Sequence, residues 1–284
     1  HFKDAHRTIK AFEYWFGPYP FYEDGYKLVE VPYLGMEHQS CVTYGNKYQM
    51  GYLGRDLSST GWGLKWDFII VHESAHEWWA NSITYKDIAD MWIHESFANY
   101  AESLYLDYHF GQQAASDYVI GTRRTIMNNE PIIGTCNVNK EGSGDMYPKA
   151  GNMLHTLRTW IKNKKKWRSV LRGLQRDFYH QTVTTEQIEN YIATQTGKDL
   201  KAFFNQYLRD TRIPVVEYEM KGKKLNYRYA KIVDGFNMPV EVRINSGDKI
   251  ILKPTAQWQE LKMEDQVKSF SVDPDYYVLY KKAD

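Results

Sequence analysis

Two histidines four positions apart are the clearest sign of chemistry in the sequence. His72 and His76 enclose Glu73 in the order His-Glu-Ser-Ala-His. In a helix, residues at i and i+4 project from one face, so both imidazoles can reach one metal ion. Zinc is commonly bound by imidazole nitrogens, and a catalytic zinc has three protein ligands and a water. Glu73 is rotated by about 100° around the helix axis, where it would lie beside the metal as a general base for that water.

The third ligand distinguishes between classes of zinc site that share this pattern. A metzincin places Gly at the position of Trp79 and His at the position of Ser82, so that class is excluded. Eighteen residues separate Glu95 from His76, and Glu95 lies in a second segment with helical periodicity. The spacing therefore favours a metal site over the simpler alternative, a surface helix that carries two histidines.

Helical patterns dominate the first two-thirds of the chain and would position these side chains. A helix over residues 67–81, capped by Asp67, would carry the histidine pair. Asp87 or Asp90 can cap a second helix, which carries Glu95 and ends near residue 111. Further helices are predicted over 1–16, 112–128, 149–162, 165–180 and 184–197, the last with a capping box from Thr184 to Gln187.

Strand patterns occur in two places. Residues 26–32 and 40–44 predict two strands ahead of the histidine pair. After residue 211 the sequence alternates between apolar and polar residues, with turn glycines between the runs. These runs are 216–220, 225–229, 240–244 and 250–252. We therefore predict two domains, a mostly helical one over 1–210 and a small all-β one over 211–284.

Charge and composition exclude some classes of function. The 284 residues include 36 Lys and Arg against 35 Asp and Glu, a net charge of +1, whereas a dedicated nucleic-acid binder normally has a strong basic excess. The basic run 162–168 is interpreted as a solvated helix start or loop, with an anion-binding role as the alternative. No apolar run is long enough for a transmembrane helix. Cys41 and Cys136 are the two cysteines, their pairing cannot be inferred, and the cellular compartment stays open.

With these motifs the sequence resembles the aminopeptidase N family of zinc metallopeptidases, which are gluzincins with the pattern HExxH-x18-E. Segments 72–81 and 91–100 are similar to that family's two metal-bearing helices, and 147–151 is similar to its tyrosine motif. Segment 271–279 looks like the last strands of its small β-domain. The resemblance implies an α+β protein, with a thermolysin-like, mostly helical catalytic domain that contains a small mixed sheet and is followed by a β-sandwich domain.

The resemblance also implies roles for individual residues. One zinc ion (Zn²⁺) per chain would be bound by His72, His76 and Glu95, and Glu73 would activate the water. Tyr147 would donate a hydrogen bond to the oxyanion of the tetrahedral intermediate. Glu102, two helical turns beyond Glu95, is either a hydrogen-bond partner of a ligand histidine or an ordinary surface glutamate. Three tryptophans near the motifs are expected to be core residues: Trp78, Trp79 and Trp92.

Residues 34–38 match the family's substrate strand only in part. The family has Gly-Ala-Met-Glu-Asn there, and this chain has Leu-Gly-Met-Glu-His. The resemblance implies that Gly35, Met36 and Glu37 bind substrate, with the Glu37 carboxylate holding the free α-ammonium group. His38 is either part of a different hydrogen-bond pattern or a simple neighbour of the site. His94 replaces the family's usual Asn before the ligand glutamate and is assigned no role.

These observations predict a zinc aminopeptidase that acts on peptides. Because residues 34–38 differ from the family's substrate strand, two alternative activities remain: a zinc endopeptidase, and a hydrolase of another amide or an epoxide. A non-catalytic peptide-binding scaffold is a third hypothesis, which the presence of Glu73 and Tyr147 disfavours. Family members carry an N-terminal β-domain that packs on the catalytic domain, and this chain starts at His1 within the first predicted helix. We therefore expect a fragment that lacks this domain.

Overall fold

Helices are the main regular elements up to about residue 204 in the computed structural model, which describes residues 1–245 and 247–283. Their bounds are α1 Asp4–Phe16, α2 Phe68–Ala75, α3 Trp92–Phe110, α4 Gln112–Gly121, α5 Pro148–Ile161, α6 Lys164–Asp177, α7 Thr185–Thr196 and α8 Lys201–Phe204. Helix α3 crosses the centre of the core and packs against α1, α2, α4 and α5. The predicted core residues Trp78, Trp79 and Trp92 are fully buried, which confirms that prediction.

Local capping signals define where several helices start. The Asp67 carboxylate accepts hydrogen bonds from the backbone N–H groups of Ile69 and Ile70, so it caps α2 as predicted. The predicted capping box at Thr184 and Gln187 is present at the start of α7. The cap predicted for α3 is wrong, because α3 follows Met91 directly, and Asp87 caps a short helical turn before it.

The helix that carries the histidine pair is shorter than predicted. Helix α2 ends at Ala75, and residues 77–82 continue as an irregular helical turn in which Trp79 has non-helical backbone angles. The side chains of Trp78 and Trp79 are fully buried in this turn. Burial of these two large rings overrides the helical periodicity that predicted a continuous helix over 67–81. The helix predicted over 112–128 likewise ends at Gly121, where a tighter turn replaces it.

Two small sheets accompany the helices. In the first, β1 (Leu28–Glu30) pairs in parallel with β3 (Val42–Tyr44), and β2 (Gly35–Met36) pairs antiparallel with β3. Strand β2 is therefore at one edge of this mixed sheet. In the second, β4 (Ile83–Tyr85) pairs in parallel with β5 (Gln181–Val183).

The C-terminal part is all β, as the alternating pattern predicted. Its strands are β6 Val215–Lys221, β7 Lys224–Ala230, β8 Val240–Ile244, β9 Lys249–Leu252, β10 Gln259–Lys262, β11 Phe270–Val272 and β12 Leu279–Lys282. They form a four-stranded sheet in the order β10-β7-β6-β12 and a three-stranded sheet in the order β11-β8-β9. Helices with small mixed sheets confirm the α+β class. The thermolysin-like and β-sandwich assignments and the division at residue 210 stay predictions.

The C-terminal part is tied to the helices through residues 275–277. The Tyr207 hydroxyl donates to the carbonyl of Tyr277 at 2.8 Å, and His155 Nε2 lies 2.8 Å from Asp275 Oδ1. Cys41 and Cys136 are both free thiols. Among the described residues, no helix combines the length and apolar character needed to cross a bilayer.

Candidate metal centre

Two helices bring the three predicted metal ligands together. His72 lies in α2, His76 follows its last residue, and Glu95 lies in the first turn of α3. Glu95 Oε2 is 3.5 Å from Nε2 of each histidine. Ligands of a tetrahedral zinc with bonds of 2.0–2.2 Å are about 3.4 Å apart, so this donor set fits zinc. All three side chains are buried, which is typical of a preformed site.

The second nitrogen of each imidazole is held by the protein. His72 Nδ1 lies 2.8 Å from Oε1 of the fully buried Glu102, and the Tyr118 hydroxyl donates to Oε2 of Glu102 at 2.6 Å. His76 Nδ1 donates to the carbonyl oxygen of Trp79 at 3.0 Å. Both rings therefore present Nε2 towards Glu95. Of the two alternatives for Glu102, it is therefore the hydrogen-bond partner of a ligand histidine and not a surface glutamate.

The histidines and Glu95 change one another's pKa values. Burial alone would lower the pKa of His76, but the charge of Glu95 outweighs it and raises that pKa to about 9. Burial would raise the pKa of Glu95, and the two nearby histidines instead hold it well below its usual range. Glu95 is therefore an anion at neutral pH, as a metal ligand must be.

Glu73 is placed beside the ligands and not among them. It is 9% exposed, and burial raises its pKa, with the charges of Glu37 and Glu95 acting in the same direction. A carboxylate with a raised pKa is suited to accept and return a proton near neutral pH. A Cβ atom at Gly35 would lie 3.3 Å from Cγ of Glu73 and 2.7 Å from Cγ2 of Ile69, so the β2 backbone packs directly on this wall of the site.

A cavity of about 450 Å³ opens next to the metal ligands. His72, Glu73 and Tyr147 lie on its wall. Most of the remaining wall is apolar or aromatic, and includes Leu34, Tyr52, Leu57, Phe68 and Ile69. The cavity thus combines a few polar groups with an apolar lining, which is typical of a small-ligand site.

Tyr147 is positioned by the start of α5, which begins at the next residue, Pro148. Its ring centroid is 6.1 Å from that of His72. Burial raises the pKa of the Tyr147 hydroxyl, and the nearby carboxylates, with Glu95 first, raise it further. The hydroxyl therefore keeps its proton at neutral pH and can serve as a hydrogen-bond donor.

Residues 35–37 lie along the edge of the same region. Gly35 and Met36 form β2, and Met36 is 46% exposed. The carbonyl of Glu37 accepts a hydrogen bond from Asn81 Nδ2 at 2.8 Å, which fixes its backbone. Burial is the main cause of the raised pKa values of Glu73 and Tyr147, and the charge of Glu37 adds to both, so Glu37 lies near these two groups. The structure thus brings all eight predicted site residues into one neighbourhood.

Three polar residues of this region make contacts that the sequence did not reveal. His94 Nε2 accepts the backbone N–H of Tyr85 at 3.1 Å, and burial lowers the pKa of His94 to about 3, so this ring is neutral. Glu77 is fully buried, its Oε1 accepts the backbone N–H of Ser40 at 2.7 Å, and burial raises its pKa to about 7. His38 is exposed, and its carbonyl accepts the N–H of Cys41 at 2.9 Å. No sequence signal distinguishes these packing contacts from catalytic ones.

Comparison with known proteins identifies a matching family and relatives in sequence. A family model described as "Peptidase family M1 domain" matches residues 1–207. Aminopeptidase N of Lactococcus lactis subsp. lactis is 25% identical over 65% of this chain and 23% of its own length. The probable aminopeptidase 1 of Sulfurisphaera tokodaii is 22% identical over 98% of this chain and 38% of its own length. This chain thus spans less than half the length of these relatives.

Two solved structures have a fold similar to that of this chain. A two-domain M1 zinc metallopeptidase mutant bound to L-tryptophan is 24% identical, with a TM-score of 0.52 over 66% of this chain and 40% of that chain. An M1 zinc metallopeptidase mutant from Deinococcus radiodurans, bound to a Tyr-Ser-Ala substrate, is 23% identical. Its TM-score is 0.56 over 71% of this chain and 43% of that chain.

Proposed function

This chain belongs to peptidase family M1, and we propose that it is a zinc-dependent aminopeptidase that hydrolyses N-terminal peptide bonds. The observation that carries the proposal is a zinc-compatible ligand set whose member His72 shares one cavity wall with Glu73 and Tyr147. We further propose one zinc per chain, and a thermolysin-like domain over 1–210 followed by a β-sandwich domain over 211–284.

The proposed chemistry divides between the ligands and two further side chains. His72, His76 and Glu95 would hold the zinc, which when bound supplies a Lewis acid that polarises the scissile carbonyl and lowers the pKa of water. Glu73 accepts the proton of the attacking water and returns it to the leaving amine. Tyr147 donates its hydroxyl hydrogen to the carbonyl oxygen as negative charge develops there.

Restriction to N-termini would come from Glu37 and β2. The Glu37 carboxylate is an anion that can pair with the α-ammonium group of a peptide, which an internal peptide bond does not offer. Strand β2 is an edge strand, so its free backbone groups can pair with an extended peptide. Met36 and Gly35 would supply this pairing edge, with the exposed Met36 side chain beside the peptide.

A comparison of unblocked and blocked substrates tests the proposal. The zinc-loaded protein is assayed with a fluorogenic leucyl amide and with its N-acetylated form. We expect cleavage of the unblocked compound at a rate about two orders of magnitude higher, because only it offers an ammonium group to Glu37. Equal rates would favour the endopeptidase or general hydrolase hypothesis, and no zinc-dependent cleavage of either compound would favour the scaffold.

A further inference from the structure

A second cavity, of about 690 Å³, lies between α6 and the chain that follows α1. We call it the α6 groove and define it by six of its lining residues: Phe16, Tyr19, Tyr22, Arg172, Gln175 and Arg176. It shares no lining residue with the cavity at the metal ligands. The proposed peptidase chemistry does not use this groove.

One wall of the α6 groove is aromatic. Phe16 and Tyr19 are buried beneath it, whereas Tyr22 is 64% exposed. Tyr179 is 49% exposed, and its hydroxyl donates to the carbonyl of Pro20 at 2.8 Å. Aromatic rings around an open groove offer a large contact area to an apolar side chain. The aromatic wall therefore favours a ligand with an apolar or aromatic body.

The other wall is cationic. Arg172 and Arg176 are one turn apart on α6. Two carboxylates adjoin the lining: Asp177 pairs with Arg176, and Glu13 accepts hydrogen bonds from the Tyr22 hydroxyl and the Tyr19 N–H. Arg172 Nη1 donates to the carbonyls of Glu13 and Tyr14, at 2.7 and 3.1 Å. Arg176 uses Nε and Nη2 to bind Asp177, at 2.6 and 2.8 Å. Within the described part of the chain, Nε and Nη2 of Arg172 and Nη1 of Arg176 have no hydrogen bond, so both side chains keep donors for an anion.

We propose that the α6 groove binds the carboxylate end of a peptide chain whose last side chain is apolar. The terminal carboxylate pairs with Arg172 and Arg176, and the last side chain packs between Tyr19, Tyr22 and Tyr179. A carboxylate and an apolar side chain occur together at the end of such a peptide, whereas a cation or a simple inorganic anion would leave the aromatic wall unused.

The test uses an acetylated tripeptide ending in phenylalanine, titrated into the zinc-loaded full chain by calorimetry. Its acetyl group removes the ammonium that Glu37 would bind. We expect saturable binding that is at least about tenfold weaker for the same tripeptide with a C-terminal amide, because a charge-assisted hydrogen bond is lost. Equal affinity for the acid and the amide, or no saturable binding of the acid, would overturn the proposal.

Variants locate the binding site. Arg176→Gln should weaken binding of the acid about tenfold, whereas Lys165→Gln, which removes the same charge from an exposed position of α6, should have no effect. Ser169→Phe should abolish binding by filling the groove without removing a charge. Glu37→Gln should leave the affinity unchanged. Loss of binding in Glu37→Gln, or wild-type affinity in both Arg176→Gln and Ser169→Phe, would place the ligand elsewhere and contradict the proposal.

A second probe separates peptides from smaller acids. N-acetylphenylalanine has the same carboxylate, ring and one amide, but lacks the preceding residues of a chain. The proposal expects the tripeptide to bind more tightly, because its preceding residues can contact more of the lining of the groove of about 690 Å³. Equal or tighter binding of the single acylated amino acid would overturn the assignment to a peptide end.

Discussion

Glu102 and His72 are joined by a hydrogen bond of 2.8 Å between Oε1 and Nδ1, and this contact decides which imidazole nitrogen faces Glu95. A carboxylate at Nδ1 requires the proton on that nitrogen, which leaves the Nε2 lone pair for a metal. The Tyr118 hydroxyl and Asn99 Nδ2 in turn donate to Glu102, at 2.6 and 3.2 Å. The orientation of one ligand therefore depends on a buried network that extends to α4.

Removing the Glu102 acceptor should weaken zinc binding. We expect Glu102→Leu to lower zinc affinity by about 10- to 100-fold, because His72 loses the group that fixes its tautomer and orientation. Glu102→Gln keeps an acceptor oxygen and should lose much less, so it is the matched control. Competition with a chromophoric chelator measures both affinities. Wild-type affinity in Glu102→Leu would show that the hydrogen bond does not orient the ligand.

Glu73→Gln should separate metal binding from chemistry. Glu73 is not a ligand, so the variant should retain zinc, while loss of the general base should lower kcat by about two or more orders of magnitude. Glu264→Gln, at an exposed position, is the control and should have wild-type activity. The measurement is zinc content together with kcat for an unblocked substrate. Near wild-type turnover of zinc-loaded Glu73→Gln would remove Glu73 from its proposed role.

Tyr147→Phe should affect kcat more than KM. The hydroxyl is proposed to donate to an oxyanion that exists only after attack, and loss of one such donor costs about 10²- to 10³-fold in kcat. Tyr147 is 37% exposed, so removal of its hydroxyl should not change folding. Tyr48→Phe, at a similarly exposed tyrosine outside the cavity, should leave the kinetics unchanged. A loss confined to KM would indicate that Tyr147 binds the ground state.

Lys149 should give the folded protein a pH dependence above neutrality. This lysine is fully buried, its Nζ donates to the carbonyl of Asp210 at 2.8 Å, and burial lowers its pKa to about 8 from an ordinary value of 10.5. Between these two values the unfolded chain binds more protons than the folded one, so this group makes the free energy of unfolding rise with pH. Below pH 8 Lys149 is charged in the folded protein, so the full cost of burying this charge lowers the free energy of unfolding.

The difference in unfolding free energy between the wild type and Lys149→Met isolates this effect. The wild type should gain up to about 3 kcal/mol in free energy of unfolding relative to Lys149→Met as pH rises from 8 to 10.5. Urea denaturation at several pH values measures it, with Lys165→Met as an exposed control that shows no such shift. A pH-independent difference would mean that Lys149 is not desolvated in the folded protein.

Patterns set by local spacing were predictable from the sequence. His72 and His76 share a helix face because of their spacing, and Asp67 supplies a cap through its own side chain. The spacing to Glu95 was equally informative, because it places a carboxylate on the next helix. The all-β character of the C-terminal part followed from the change of hydrophobic period near residue 211, whereas the α+β class was implied by the family resemblance.

Features that depend on tertiary packing were not predictable. No Gly or Pro signals the irregular turn after Ala75, which forms where Trp78 and Trp79 enter the core. The pairing of β4 with β5 joins segments almost a hundred residues apart, a contact that no local pattern encodes. Gly35 was predicted to bind substrate and was noted as a departure from the family, but the sequence did not reveal the close approach of Ile69, because of which a larger residue there would need a shift.

Zinc content is the most direct test of the metal centre at His72, His76 and Glu95. After zinc loading and removal of free metal, elemental analysis should find about one zinc per chain in the wild type and about a tenth or less in His76→Ala. His6→Ala, at an exposed histidine, should keep the wild-type value. A wild-type content below about 0.3 zinc per chain, or equal contents in the wild type and His76→Ala, would contradict the site.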